Sequence, residues 1–199
     1  GAAKAIGLNP LFLRIAALYH DIGKTFQPEY FVENQKNLNP HERIGCEESA
    51  RILASHVTGG ISAARKARLP SSIVDMIPQH HGTKLMKFFY EKAGREAAAS
   101  GKEVHEDLFR YPGPKPQTKE TGVLMLSDVV ESASRALSDP TPARIESLVH
   151  DLAMKRLLDG QFDECGLTLH ELRTIEDSLV KSLTAVYHGR VRYPEHQTV

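Results

Sequence analysis

His20 and Asp21 stand side by side at the end of an apolar run, in Leu18-Tyr19-His20-Asp21-Ile22-Gly23-Lys24. His56, the pair His80-His81 and Asp128 occur in comparably apolar surroundings further along the chain. Imidazole and carboxylate together suit Fe, Mn, Zn or Ni, and helices remote in sequence can bring such ligands to one point inside a bundle. Any one of these histidines alone is more often a surface or hydrogen-bonded core residue than a ligand. Buried together, they demand compensation of a kind that a metal supplies. Neighbouring helical side chains point roughly 100° apart, so His20 and Asp21 do not easily chelate one ion from one direction. A carboxylate bridging two ions, with each histidine serving one, accounts for the adjacency. Lys24 can complement a helix dipole or aim its ammonium at a phosphate beside the metals.

These residues need elements to position them, and the signals are helical throughout: no segment sustains the alternating pattern of a strand. The sequence predicts an all-α protein. Asn9-Pro10 caps a helix over residues 11–22 that Gly23 stops, placing His20 and Asp21 in its last turn. Asn39-Pro40, with Glu42 following, opens a helix that runs to about His56 and ends at Gly59-Gly60. Shorter helices are expected over 60–68 and 71–81, the latter ending at Gly82 with His80 and His81 in its last turn, then another over 83–99. Residues 100–118 are rich in Gly, Pro and charge and read as a long loop. Asp128 lies in a helix over 119–137, an amphipathic stripe runs from Ile145 to Leu157, and Thr168 with Glu171 forms a capping box for the last helix.

Composition narrows the partners. Lys+Arg and Asp+Glu are both 25, so no global field gathers a nucleic-acid polymer or an anionic membrane, and an anionic ligand must be held locally. The longest apolar stretch is interrupted by Arg14 and too short to span a bilayer; the segment is expected to be soluble. Cys46 and Cys165 form no CxxC pair and read as buried small hydrophobes of a reduced compartment. His41 follows a cap and is intermediate between a helix start and a ligand-facing residue. His105, His150, His170, His188 and His196 fall in loops or polar faces and are read as ordinary. The opening Gly1-Ala2-Ala3 enters in mid-pattern, so an excised domain lacking its first helix is expected.

Together, "YHDIGK", "NPH", "SHV", "QHHGT" followed by "FFY", "RYPGPKP" and "LSDVVESASR" resemble the cytoplasmic HD domain of seven-transmembrane HD proteins, the PgpH-type cyclic-di-AMP phosphodiesterases. The similarity covers nearly the whole chain, which is therefore expected to be a single HD-type helical bundle over 1–199. The resemblance implies hydrolysis of cyclic di-AMP to pApA by water activated at two divalent metals, iron or manganese first and zinc or nickel as alternatives. His20, Asp21 and Asp128 would hold one ion, and His56, His80, His81 and the shared Asp21 the other. It also implies one further histidine upstream of Gly1, leaving the first ion three ligands here and the activity of the fragment in question. Asp21 and Lys24 take the catalytic roles, and Lys24, Arg135 and Tyr111 are the substrate-binding candidates. The "RYPGPKP" loop, with Arg110, Tyr111 and Lys115, either lines the nucleotide cleft or simply stiffens a connection. In a full-length protein the domain would be tethered to the inner face of the bacterial membrane. Two alternatives stand beside this: an HD hydrolase of another nucleotide or phosphate ester, and a cyclic-dinucleotide sensor without catalysis. The absence of a GYP triplet after "HHG" argues against the class acting on cyclic di-GMP.

Overall fold

Asn9 accepts hydrogen bonds from the backbone N–H groups of Leu11 and Phe12, and this cap opens helix α2 (Pro10–Tyr19), which follows the short α1 (Ala2–Ala5). In the computed structural model, which describes residues 1–35, 38–98, 101 and 103–188, helices supply all the regular structure and the described residues contain no strand. The chain continues through α3 (Cys46–Lys66), α4 (Ser71–Val74), α5 (Met76–Gln79), α6 (Lys87–Ala98), α7 (Lys119–Ser134), α8 (Pro142–Leu158) and α9 (Leu169–His188). The all-α expectation is met. The capping box is also present: Thr168 and Glu171 exchange backbone and side-chain hydrogen bonds at the start of α9.

Two apolar cores flank the ligand-bearing segments. One unites α7, α8 and α9 through Val123, Leu126, Val130, Ile145, Val149 and Ile175, all essentially inaccessible to solvent. The other joins α3, α6 and the 104–111 segment through Ala50, Val57, Phe89, Phe109 and Tyr111. Burial of each such aliphatic side chain contributes roughly 1.5–3 kcal/mol, so these faces dominate the stabilisation of the bundle.

Several boundaries depart from the sequence expectations. Helix α2 ends at Tyr19, and His20 and Asp21 lie in a turn leading into a 3₁₀ segment, Ile22–Phe26. Gly23 is not the stop. It is buried because this turn presses on α3, and a Cβ at Gly23 would fall 1.8 Å from the carbonyl oxygen of His56. Gly59-Gly60 likewise does not end α3, which runs through the pair to Lys66; Gly60 lies against Gly23 and Ile77. His56 is therefore in mid-helix, and no separate helix covers 60–68. At the front, Asn39 caps only a 3₁₀ turn, Pro40–Arg43, because His41 is drawn inward to bond the Tyr30 carbonyl, and α3 begins afresh at Cys46. The expected 71–81 helix is broken at Asp75 into α4 and α5; Pro78 has no N–H to continue the ladder. Gly82, at φ +55°, makes the turn that follows His80-His81.

Replacing Gly23 by alanine is expected to force the Ile22–Phe26 turn off α3 and to cost about 3 kcal/mol or more. A chemical-denaturation midpoint close to that of the wild type would show that this backbone contact does not hold the two segments together.

Candidate metal centre

The turn after α2 carries His20 and Asp21, the middle of α3 carries His56, the turn after α5 carries His80 and His81, and α7 carries Asp128. These six side chains converge. Asp21 Oδ2 lies 3.1 Å from His20 Nε2, while its Oδ1 lies 3.5 Å from both His56 Nε2 and His80 Nε2. Asp128 stands 3.5 Å from His20 Nε2 and 4.0 Å from His81 Nδ1 through its two oxygens. Potential donor atoms fall into two groups within 4.8 Å of one another: Asp21, His56, His80 and His81, and His20, His80 and Asp128.

The backbone orients the rings. Nδ1 of His20, His56 and His80 bonds the carbonyl oxygen three residues earlier, of Ala17 (2.9 Å), Leu53 (2.5 Å) and Ile77 (2.6 Å). A ring nitrogen facing a carbonyl must be the protonated one, so each Nε2 is turned toward the centre. There Nε2 of His56 and His80 and Oδ1 of Asp21 are buried without a hydrogen-bond partner. Buried acceptors left unpaired are costly. With metal–ligand bonds of about 2.0–2.2 Å, donors sharing one ion stand about 3 Å apart or slightly more, as these do. The residues fit divalent transition metal.

Electrostatics supports the same chemistry. Burial, reinforced by the proximity of His80, pushes His56 down to about 4 and His81 well below the usual histidine range, leaving both neutral as ligands must be. Burial works against ionisation of Asp21 and Asp128, but contact with His20 and interaction with His80 outweigh it and hold both carboxylates ionised. For His20, burial is likewise outweighed by Asp128 and Asp21, and the ring is pushed up to about 10.

Around these residues opens a cleft of about 410 Å³, walled by Tyr30, Phe31, His41, Lys84, Phe88 and Tyr111 among others. A larger groove of about 1020 Å³ lies along the Cys46 end of α3 and contains no member of the cluster. Lys24 borders the cleft and bonds Asp21 (2.7 Å) and Glu33 (2.6 Å). Tyr111 forms a buried wall, its ring 4.2 Å from that of His81. His41 also faces the cleft but is tied to Tyr30 and lies outside both donor groups.

Other candidates are not brought in. Arg135 is exposed and held by Glu131 one turn earlier on α7, so it does not line the cleft. Arg110 is turned toward the Thr83 carbonyl, Glu106 and Asp159, and Lys115 toward Asp163; of the "RYPGPKP" loop residues considered, only Tyr111 walls the cleft. His150 pairs with Glu176 on the surface, and His196 lies outside the described residues. Sequence reasoning missed Lys84 and two buried glutamines. Gln79 accepts from Gln117 N–H and the Thr121 hydroxyl, and Gln161 accepts from Thr83 N–H while donating to the Thr83 hydroxyl. They pin the His80-His81 turn on both sides. No periodicity or cap marks them; only proximity in the folded chain does.

The sequence matches the HD domain family over residues 1–133. It is similar to the cyclic-di-AMP phosphodiesterase PgpH of Bacillus subtilis (strain 168), 46% identical over 195 residues, or 98% of this chain and 27% of that protein. Similarity to PgpH of Listeria monocytogenes serotype 1/2a (strain 10403S) is 44% over 194 residues, covering 97% and 26% respectively. The chain thus spans about a quarter of the length of these curated relatives. The crystal structure of the L. monocytogenes PgpH HD domain in complex with cyclic-di-AMP matches with a TM-score of 0.90 at 44% identity, over 96% of this chain and 87% of that one.

A metal entering this centre has to displace the proton that His20 carries at neutral pH. Metal affinity is therefore expected to rise with pH up to about 10, the His20 value. Calorimetry of Mn²⁺ binding at pH 7.5 in buffers of different ionisation enthalpy should show release of about one proton per chain; a heat independent of buffer would contradict a protonated His20.

Proposed function

This chain belongs to the HD domain family, and on that premise we propose that it is a metal-dependent phosphodiesterase that opens cyclic di-AMP to pApA at a centre of two divalent ions. The observation that carries this reading is Asp21: one oxygen faces His20 and the other faces His56 and His80, with Oδ1 buried and unpartnered. The names of the 44–46% identical relatives and the ligand of the matched crystal structure support the substrate. His20 and Asp128 would serve one ion, His56 and His81 the other, with Asp21 between them and His80 within reach of both groups. Iron or manganese is the proposed identity, on the resemblance to the HD phosphodiesterases; the imidazole and carboxylate donors themselves suit zinc and nickel as well.

When bound, such a pair supplies Lewis acidity to a phosphoryl oxygen and to an attacking water. The chain's own groups do the rest. The carbonyls of Ala17, Leu53 and Ile77 hold three rings in the tautomer and rotation that present Nε2 inward, which spares reorganisation during turnover. Lys24 spends two of its three ammonium hydrogens on Asp21 and Glu33. The third remains for a phosphate oxygen or the departing 3′ oxygen. Phe31 packs edge-on against the His56 ring and Tyr111 lies against that of His81, so one side of the cluster is apolar and water is kept from it. We further propose that the parent protein tethers this domain to the inner face of the bacterial membrane. Among the described residues no helix is long and apolar enough to cross a membrane.

Asp21→Ala is expected to abolish both metal content and turnover while preserving far-UV circular dichroism; normal turnover by that variant would refute a shared carboxylate. His56→Ala should lower the metal count from two to about one per chain by elemental analysis, and an unchanged count would remove His56 from the ligands. With Mn²⁺ loaded, cyclic di-AMP should be cleaved faster than cyclic di-GMP. A preference for the guanine dinucleotide would overturn the substrate assignment.

A further inference from the structure

The two lysines of the cleft differ in their company. Lys24 is neutralised by Asp21 and Glu33, whereas Lys84 has no carboxylate within ion-pair distance among the described residues. The Lys84 ammonium lies 5.4 Å from the centroid of the Tyr111 ring, in the wall of the cleft. A ring face offsets only part of a desolvated positive charge.

Arg156, in the last turn of α8, aggravates the imbalance. It is half-buried, makes no ion pair among the described residues, and its Nε is buried without a hydrogen-bond partner. Arginine does not escape such a setting by losing its proton. Burial lowers Lys84 to about 8, with the nearby Arg156 charge adding to the effect, so the two cations sense each other. Asp159 and Asp128 attract Arg156, and Asp128 and Asp21 attract Lys84, but Asp159 is engaged by Arg110, Asp128 by His20 and Asp21 by Lys24. Any divalent ions in the centre would add positive charge on the same side. Among the described residues no carboxylate stands within ion-pair distance of Lys84 or Arg156.

We infer that Lys84, backed by Arg156, forms an anion subsite on the Asp128 side of the cleft that holds the phosphate of a cyclic dinucleotide that is not under attack. The inference rests on the proposed function: a ring with two phosphodiesters presents one to the centre and carries the other away from it. Lysine suits this task as a mobile point charge, whereas the Arg156 guanidinium contributes field from behind.

The test compares cyclic di-AMP with ApA, a linear dinucleoside that has a single phosphodiester, as ligands for wild type, K84M, K84Q and K84R. Titration calorimetry in EDTA, where no turnover occurs, isolates the contribution of the chain's own cations. Cyclic di-AMP should bind K84M and K84Q about ten-fold or more weakly than wild type, the loss of one charge-assisted hydrogen bond, and K84R should stay within about three-fold. Affinity for ApA should change by less than about two-fold. Equal affinity of wild type, K84M and K84Q for cyclic di-AMP, or no binding to any of them, overturns the subsite; an equal loss for ApA overturns its assignment to the second phosphate. Turnover by the Mn²⁺-loaded wild type separates the two readings. Weakened binding in the variants without wild-type hydrolysis would retain the subsite and refute the hydrolase, and hydrolysis with unchanged variant affinity would do the reverse.

Discussion

A half-buried carboxylate whose inner oxygen faces imidazoles with their proton-bearing nitrogens turned away is the constraint on which the architecture depends. Asp21 Oδ1 faces His56 Nε2 and His80 Nε2 at 3.5 Å, and neither ring has its ordinary donor turned inward, because Leu53 and Ile77 carbonyls hold Nδ1. In water such lone pairs would be hydrated. Here they are buried, and only a cation satisfies them together. At His20 burial is outweighed by Asp128 and Asp21, which ties both carboxylates electrostatically to this ring.

Holding that arrangement open against collapse requires rigid surroundings. The α7–α8–α9 core anchors Asp128 from one side, and the α3–α6 core anchors His56 from the other. The His80-His81 turn belongs to neither helix pair; it is fixed by Gln79 and Gln161 reaching across to Thr121, Gln117 and Thr83. Buried amides bonded across several segments in this way favour a single geometry, because any displacement leaves several polar groups unpaired. The glutamines thus act on the centre without touching its ligands.

How much of this was legible beforehand depended on how local the cause was. Asn9-Pro10 and the Thr168–Glu171 box were readable because capping is settled within four residues. The six His and Asp residues stood out because polar groups in apolar runs need an explanation, and the structure gathers all six. Glycine was ambiguous. Gly23 and Gly59-Gly60 read as helix stops, yet Gly23 and Gly60 serve close backbone approach and Gly59 makes room for the Phe26 ring, and these uses look identical in a linear string. Arg135 lies two turns beyond Asp128 and was expected near a phosphate, but Glu131 at i−4 claims it locally. Lys84 could not be recognised at all, because its lack of a counter-ion is a property of how α5, α7 and α8 meet.

The contact between Gly23 and the His56 carbonyl has a mechanical meaning. With no side chain between them, the turn carrying Asp21 and the helix carrying His56 meet backbone to backbone, and there is no layer of rotamers to absorb relative sliding. The spacing between these two groups is therefore set by peptide geometry, which is stiffer than side-chain packing. Adjustment to ions of different radius falls instead to the segments joined through side chains, the His80-His81 turn and α7, so the two halves of the centre differ in compliance.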